Sequence, residues 1–278
     1  GAAITDYVIQ YKTTAASTWS TFSDGTSTAT SATVTGLTNG TGYVFQVAAV
    51  NSAGTGAYSA LSSVVTPVLS VSFDLVAGQV LSDNTLRSGA VQLIKTGPGT
   101  LVLTKANSHS GGTVVEAGNL IVRNSSALGV GQLLVRSGAT LTIDMPGADV
   151  GMGSLWLEDG GRIDVGYGRL SVPSGAYSLS QISDLLKRGY GANWMEPGGI
   201  GTSKSGMQFG GTIGYMIDGG GSITVGYAVA GDNNLDGTVD VLDVSSMLAT
   251  RKFDTGELAT WADGDFNYDG VIDVLDIK

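Results

Sequence analysis

Apolar and polar residues alternate along the first fifty positions. Tyr7, Ile9 and Tyr11 share one face of a run from Ile4 to Tyr11, and the two-residue period returns at Ala32 and Val34 and at Tyr43, Phe45, Val47 and Ala49. Period two over short runs predicts strands with one face buried. Asp24-Gly25, Asn39-Gly40 and Asn51-Ser52-Ala53-Gly54 separate them as turns, at a spacing that predicts a sandwich over 1–67. Beyond Pro67 the period lengthens. Short runs at Leu101-Val102-Leu103, Leu120-Ile121-Val122, Leu141-Thr142-Ile143 and Arg162-Ile163-Asp164-Val165 recur about every 20 residues, each preceded by glycine. One strand and a glycine turn per repeat predict a solenoid over 68–172, its rungs stacked into a continuous core.

A capping region follows over 173–229. Ser180 is placed to cap a helix ending at Arg188, with Ile182, Leu185 and Leu186 on one face and Gly189 as its C-terminal stop. Such a helix would cover the open end of the solenoid. The glycine-rich stretch 191–220, with Trp194, Met195, Met207 and Met216, reads as irregular or hairpin structure packed on it, and Ile223–Val229 reads as a strand. The fold class expected is mainly β: a partial sandwich, a parallel β-helix, then a small helical tail.

Composition narrows the chemistry. The 278 residues include 43 Gly, one His and no Cys, and 14% are charged. Glycine is about twice and charge about half the usual share. With a single imidazole and no thiol, catalysis by His or Cys and the usual zinc sites are not expected, and no apolar stretch is long enough for a transmembrane helix. Eleven of the 24 acidic residues but only three of the 14 basic ones fall in 230–278, a local net charge of −8 within a chain of −10. Without a basic patch, nucleic acid is not an expected partner. Asp144, Asp149, Glu158, Asp159 and Asp164 could line a rung beside Arg162 as sugar-processing carboxylates or as calcium ligands, but are expected to face solvent, and His109 is expected in an exposed turn. No catalytic residue is assigned.

The acidic tail has a pattern of its own. Asp232–Asp243 (DNNLDGTVDVLD) and Asp265–Asp276 (DFNYDGVIDVLD) lie 33 residues apart and follow the twelve-residue calcium-loop template, with Gly237 and Gly270 at the sharp bend. Calcium takes six to eight oxygens, which the odd positions and position 12 supply. Loop one offers Asp232, Asn234, Asp236, the Thr238 carbonyl, Asp240 and Asp243; loop two offers Asp265, Asn267, Asp269, the Val271 carbonyl, Asp273 and Asp276. Two Ca²⁺ are expected. Asp236→Ala is expected to abolish binding at the first loop and to leave the melting of the β-helix unchanged.

Three stretches resemble known families. Leu37–Tyr43 and Phe45–Gly54 resemble the corner tyrosine, F strand and FG loop of a fibronectin type III domain, whose first two strands and Trp are expected to precede Gly1. Lys95–Leu103 with Asn107, Gly111–Val115 and Gly118–Leu120 resembles the autotransporter-associated β-strand repeat, which implies a right-handed parallel β-helix in secreted passenger and adhesin proteins. The duplicated acidic loops, with the Val244, Met247, Leu248 helix face, resemble a type I dockerin, whose second helix is expected to follow Lys278. In that family positions 10 and 11 of each loop help to choose a cohesin partner. They correspond here to Val241, Leu242, Val274 and Leu275, apolar where cellulosomal members often carry hydroxyls. This domain order is similar to large secreted proteins of planctomycete-type bacteria. It implies a non-enzymatic extracellular or cell-surface structural or adhesive protein with a calcium-dependent module for docking a cohesin-like partner. The alternatives are an accessory region of an extracellular polysaccharide-degrading enzyme, with its catalytic domain elsewhere, and a β-helix lyase within the chain. Polysaccharide contact separates both from the first reading.

Overall fold

The computed structural model describes residues 1–194, 196, 198–204, 211–229 and 231–276, the side chains of 191–194 excepted. Met195 and Met207, expected to pack on the cap, lie outside the described residues. The chain forms two compact units, Gly1–Leu69 and Ser70–Lys278.

In the first unit Ile4–Thr13 pairs antiparallel with Ser20–Phe22 and with Tyr43–Asn51, and Gly54–Thr55 extends the sheet. The alternating pattern sets the register: Tyr11 lies opposite Phe45 and Ile9 opposite Val47. The Tyr43 hydroxyl accepts the Thr38 N–H at 3.1 Å, which ties the turn back onto the strand it precedes. Ala32 and Val34 depart from expectation, because they are not in a strand. No described strand lies beside them to pair their backbone groups. Instead they line a cavity of about 330 Å³ against Tyr7, Ile9, Phe45 and Val47.

The second unit contains the expected solenoid. Val80–Asp83, Thr100–Leu103, Asn119–Val122, Thr140–Ile143, Arg162–Asp164 and Gly199–Gly201 stack in parallel into one sheet. Register places Leu101, Leu120, Leu141, Ile163 and Ile200 in a single column, all fully buried. Each such side chain contributes about 1.5–3 kcal/mol of burial. A second sheet stacks Leu69–Asp74, Val91–Thr96, Thr113–Val115, Gln132–Val135 and Ser154–Leu157, with Leu93, Leu133 and Leu155 facing the same core. The turns between the sheets are tight. At Gly118, φ is +69° and an added Cβ would lie 2.4 Å from the Gly99 carbonyl, so only glycine fits. Lys95 is buried in this corner, its ammonium donating to the carbonyls of Thr96, Gly97 and Ala117 at 2.7, 2.8 and 3.1 Å. It thereby ties one rung to the next.

Two polar residues expected at the surface are buried. His109 pairs in the short ladder Ser108–His109 with Ser88–Gly89, its Nε2 bonded to Thr113 Oγ1 at 3.0 Å and its ring against Gly129, where a Cβ would lie 2.8 Å from Nδ1. Asp164 turns inward to accept from the N–H groups of Gly166 and Ser203, each at 2.9 Å. At Asp164 hydrogen bonds within the fold replace water, whereas at His109 only Nε2 is partnered and the buried Nδ1 has no partner among the described residues. Asp144, Asp149, Glu158 and Asp159 pair with Arg123, Arg169, Arg136 and Arg188. Arg162 donates to the Glu196 carbonyl at 2.6 Å.

Helix α1, Leu179–Trp194, closes the solenoid with Ile182, Leu185 and Leu186 buried. It is longer than expected at both ends. Ser178 and Gln181 exchange side-chain and backbone hydrogen bonds at the N-terminus, so Ser178 rather than Ser180 is the cap. Gly189 does not stop the helix. A Cβ there would lie 2.0 Å from the Ile200 carbonyl, so this glycine permits close approach of the strand Gly199–Gly201. The hairpin Gly211–Ile217 and Ile223–Val229 then pairs antiparallel with Arg169–Val172. Among the described residues no helix is long and apolar enough to cross a membrane.

The tail carries α2, Val241–Ala249, and a single 3-10 turn, Trp261–Asp263. Of the expected helix face only Met247 is buried, whereas Val244 and Leu248 are exposed. Leu235, Met247, Trp261, Phe266, Tyr268 and Ile272 belong to the same continuous core as the solenoid.

Candidate functional site

The two acidic loops repeat one hydrogen-bond scaffold. In the first, Asp232 accepts from the N–H groups of Asp236 and Gly237, each at 3.1 Å, and Asp236 accepts from Thr238 N–H at 2.9 Å. Asp243 closes the loop, with Oδ1 accepting from Asn233 N–H at 3.0 Å and Oδ2 from Asp240 N–H at 2.9 Å. The second loop matches it. Asp265 accepts from Gly270 N–H at 3.0 Å, Asp269 from Val271 N–H at 3.0 Å, and Asp276 from Phe266 and Asp273 N–H at 2.8 and 2.9 Å. Positions 1, 5 and 12 thus hold the turn from inside, and Gly237 and Gly270 supply its left-handed bend at φ +90° and +95°.

Asp240 and Asp273 have a second task. Each accepts from the N–H two residues on, Leu242 and Leu275, at 2.7 Å, and Asp240 caps α2 in a reciprocal box with Asp243. Asn234 and Asn267 turn their amides toward Asp236 and Asp269, at 3.1 and 3.0 Å. Thr238 and Val271, assigned by their carbonyls, follow the bends. Among the described residues no three His, Cys, Asp or Glu side chains draw together into a metal-holding group.

Buried charge is nevertheless uncompensated here. Asp265 is 3% exposed and its Oδ1 has no hydrogen-bond partner. Burial pushes this carboxyl up to about 6, the Asp276 and Asp269 carboxylates adding to it against the pull of the Gly270 N–H. Asp232 is also raised, first by burial and then by Asp243 and Asp236, while the Gly237 and Asp236 N–H groups oppose this. A hard cation is the charge such oxygens lack, and oxygen-only donors fit calcium.

The four residues at positions 10 and 11 lie at the surface. Val241, Leu242, Val274 and Leu275 are 74%, 62%, 71% and 50% exposed, beside the two loops. Position 4 was not singled out from the sequence, yet it carries both loops onto the solenoid. Leu235 and Tyr268 are buried and left-handed, at φ +56° and +62°, a conformation that costs a residue with a side chain about 1–3 kcal/mol. The Leu235 carbonyl accepts from Arg169 Nη1 at 3.1 Å, and the Tyr268 hydroxyl donates to the Ile213 carbonyl at 2.7 Å. A large apolar or aromatic residue at position 4 of both repeats, between the polar residues at positions 3 and 5, is the signal that was available.

Residues 1–65 match the family model of the fibronectin type III domain, and residues 93–122 match the passenger-associated-transport-repeat. Neither span reaches the acidic loops. The chain is similar to the protein described as Adhesin BmaC autotransporter from Brucella suis biovar 1 (strain 1330), at 32% identity over 195 residues. That alignment covers 66% of this chain and 5% of the relative. What these similarities place on firm ground is a fibronectin type III module followed by a passenger-type β-helical repeat.

Proposed function

We propose that the chain is a non-enzymatic part of a secreted or cell-surface adhesive protein. The β-helix serves as a rigid stalk, and the tail is a dockerin-like module that binds two Ca²⁺ and docks a cohesin-like protein. The observation that carries the calcium reading is the buried Asp265 oxygen without a partner, inside a loop whose hydrogen-bond scaffold is duplicated 33 residues earlier. Asp232, Asn234, Asp236, Asp240, Asp243 and the Thr238 carbonyl would hold one ion. Asp265, Asn267, Asp269, Asp273, Asp276 and the Val271 carbonyl would hold the other.

Support for docking is the placement of four apolar side chains on the outside of these loops, where they are costly to leave in water. Support for the stalk and the surface location is the passenger-type repeat and the likeness to a protein named as an adhesin. The test is capture of the whole chain on an immobilised cohesin module with and without calcium, alongside polysaccharide beads. Calcium-dependent capture that Val241→Asp with Leu242→Asp removes supports docking. Retention on the polysaccharide alone refutes it.

A further inference from the structure

We infer that the acidic loops clamp the C-terminal end of the β-helix, so that calcium held by the tail governs the opening of the solenoid's last strands. This rests on the calcium reading above and extends it from the tail to the body of the protein.

Five contacts carry the inference, and all involve the loops or the turn between them. Leu235 and Tyr268 occupy the same position of the two loops and both are held left-handed. The backbone of the first accepts from Arg169, which belongs to the last solenoid strand of its sheet, Arg169–Val172. The side chain of the second donates to Ile213 in the hairpin that pairs with that strand. Trp261 is fully buried and lies flat on Gly214 of the same hairpin, where a Cβ would come within 2.4 Å of the indole. The ring of Trp261 also stacks on Tyr268, with centroids 5.8 Å apart, and meets Phe266 edge-on at 4.8 Å.

The left-handed turn at position 4 is therefore what presents Leu235 and Tyr268 to the solenoid. Position 4 lies between Asn234 and Asp236 in one loop and between Asn267 and Asp269 in the other, the assigned ligands. A cation drawing those neighbours inward fixes the turn. Without it, the second loop is held only by hydrogen bonds such as those from its backbone to Asp265 and Asp276, and the Tyr268 and Trp261 contacts loosen with it. A strand end released in this way is an open edge, which a β-helix has reason to keep covered. The tail and the solenoid then melt together, contrary to what the sequence alone suggests for Asp236→Ala.

The experiment is amide hydrogen exchange on the whole chain, in calcium and in chelator, with calorimetry counting bound ions in parallel. Exchange in Gly211–Ile217 and Ile223–Val229 is expected to slow at least tenfold in calcium, while Ile4–Thr13 of the first unit stays unchanged. Tyr268→Phe keeps every assigned ligand oxygen, so it should still bind two ions but lose most of the gain in Gly211–Ile217. Two bound ions with no change in these strands overturn the clamp and leave the calcium reading intact. No bound ion overturns both. A Tyr268→Phe chain that gains as much protection as the wild type also overturns the clamp.

Discussion

Leu141→Ala tests the stacked core directly. Leu141 has no exposed surface and sits in register between Leu120 and Ile163 of the neighbouring rungs. The change removes three carbons, at about 0.8 kcal/mol each for lost burial. Parallel ladders on both sides hold the backbone in place, so the cavity cannot collapse and adds to the loss. The total expected is about 3–4 kcal/mol, within the roughly 2–5 kcal/mol typical of buried leucine truncation. The adjacent Thr142 points the other way, its hydroxyl donating to Asn119 Oδ1 at 3.0 Å, and Thr142→Ala should cost about 1 kcal/mol or less. Urea unfolding followed by circular dichroism measures both, on the transition of the second unit and with an unchanged slope. If Thr142→Ala costs as much as Leu141→Ala, the strand faces are assigned one residue out of register and the column is wrong.

Three further outcomes follow from single contacts. Burial, with the Arg87 charge adding to it, holds His109 below its ordinary value. The neutral ring is therefore the folded form. The unfolded chain takes up the proton first as pH falls below about 6.5. Stability is then lost from that point down to the lower folded value, and His109→Gln should remove this part of the slope between pH 7.5 and 5 in urea titrations. Tyr43→Phe leaves the Thr38 N–H without its acceptor and should lower the melting of the first unit alone, by about 0.5–1.5 kcal/mol, in differential calorimetry. Gly189→Ala gains helix propensity of about 1 kcal/mol, yet should destabilise the second unit by about 1–3 kcal/mol. The new methyl meets the Ile200 carbonyl, and a stabilised variant in the same calorimetric scan would contradict this.

Much of this architecture could be read from the chain. The rungs at Leu101, Leu120, Leu141 and Ile163 announced themselves because a solenoid repeats one local solution, and the same glycine turn recurs with it. Tyr43 was legible for a similar reason, since its corner needs a tyrosine at one place. The errors lie where the same residue serves two physical ends. Gly189 looks like a helix stop, but it is a glycine of close approach, and only Ile200, eleven residues on, decides between them. His109 and Asp164 look like surface polar residues because groups that enclose them, Gly129 against the imidazole and the Ser203 N–H on the carboxylate, lie 20 and 39 residues further along the chain. Ala32 and Val34 have strand periodicity, but among the described residues they pair with no strand. In the tail the calcium-loop template drew attention to the odd positions, whereas Leu235 and Tyr268 at position 4 face the solenoid, a surface that the tail's own sequence does not mention.

Calcium uptake by the whole chain, followed by isothermal titration calorimetry, tests the central claim most directly. Two ions per chain are expected, with Asp265→Ala reducing the count to one by removing the buried carboxylate of the second loop. No uptake up to millimolar calcium would contradict the account and leave the tail as two hydrogen-bonded acidic turns.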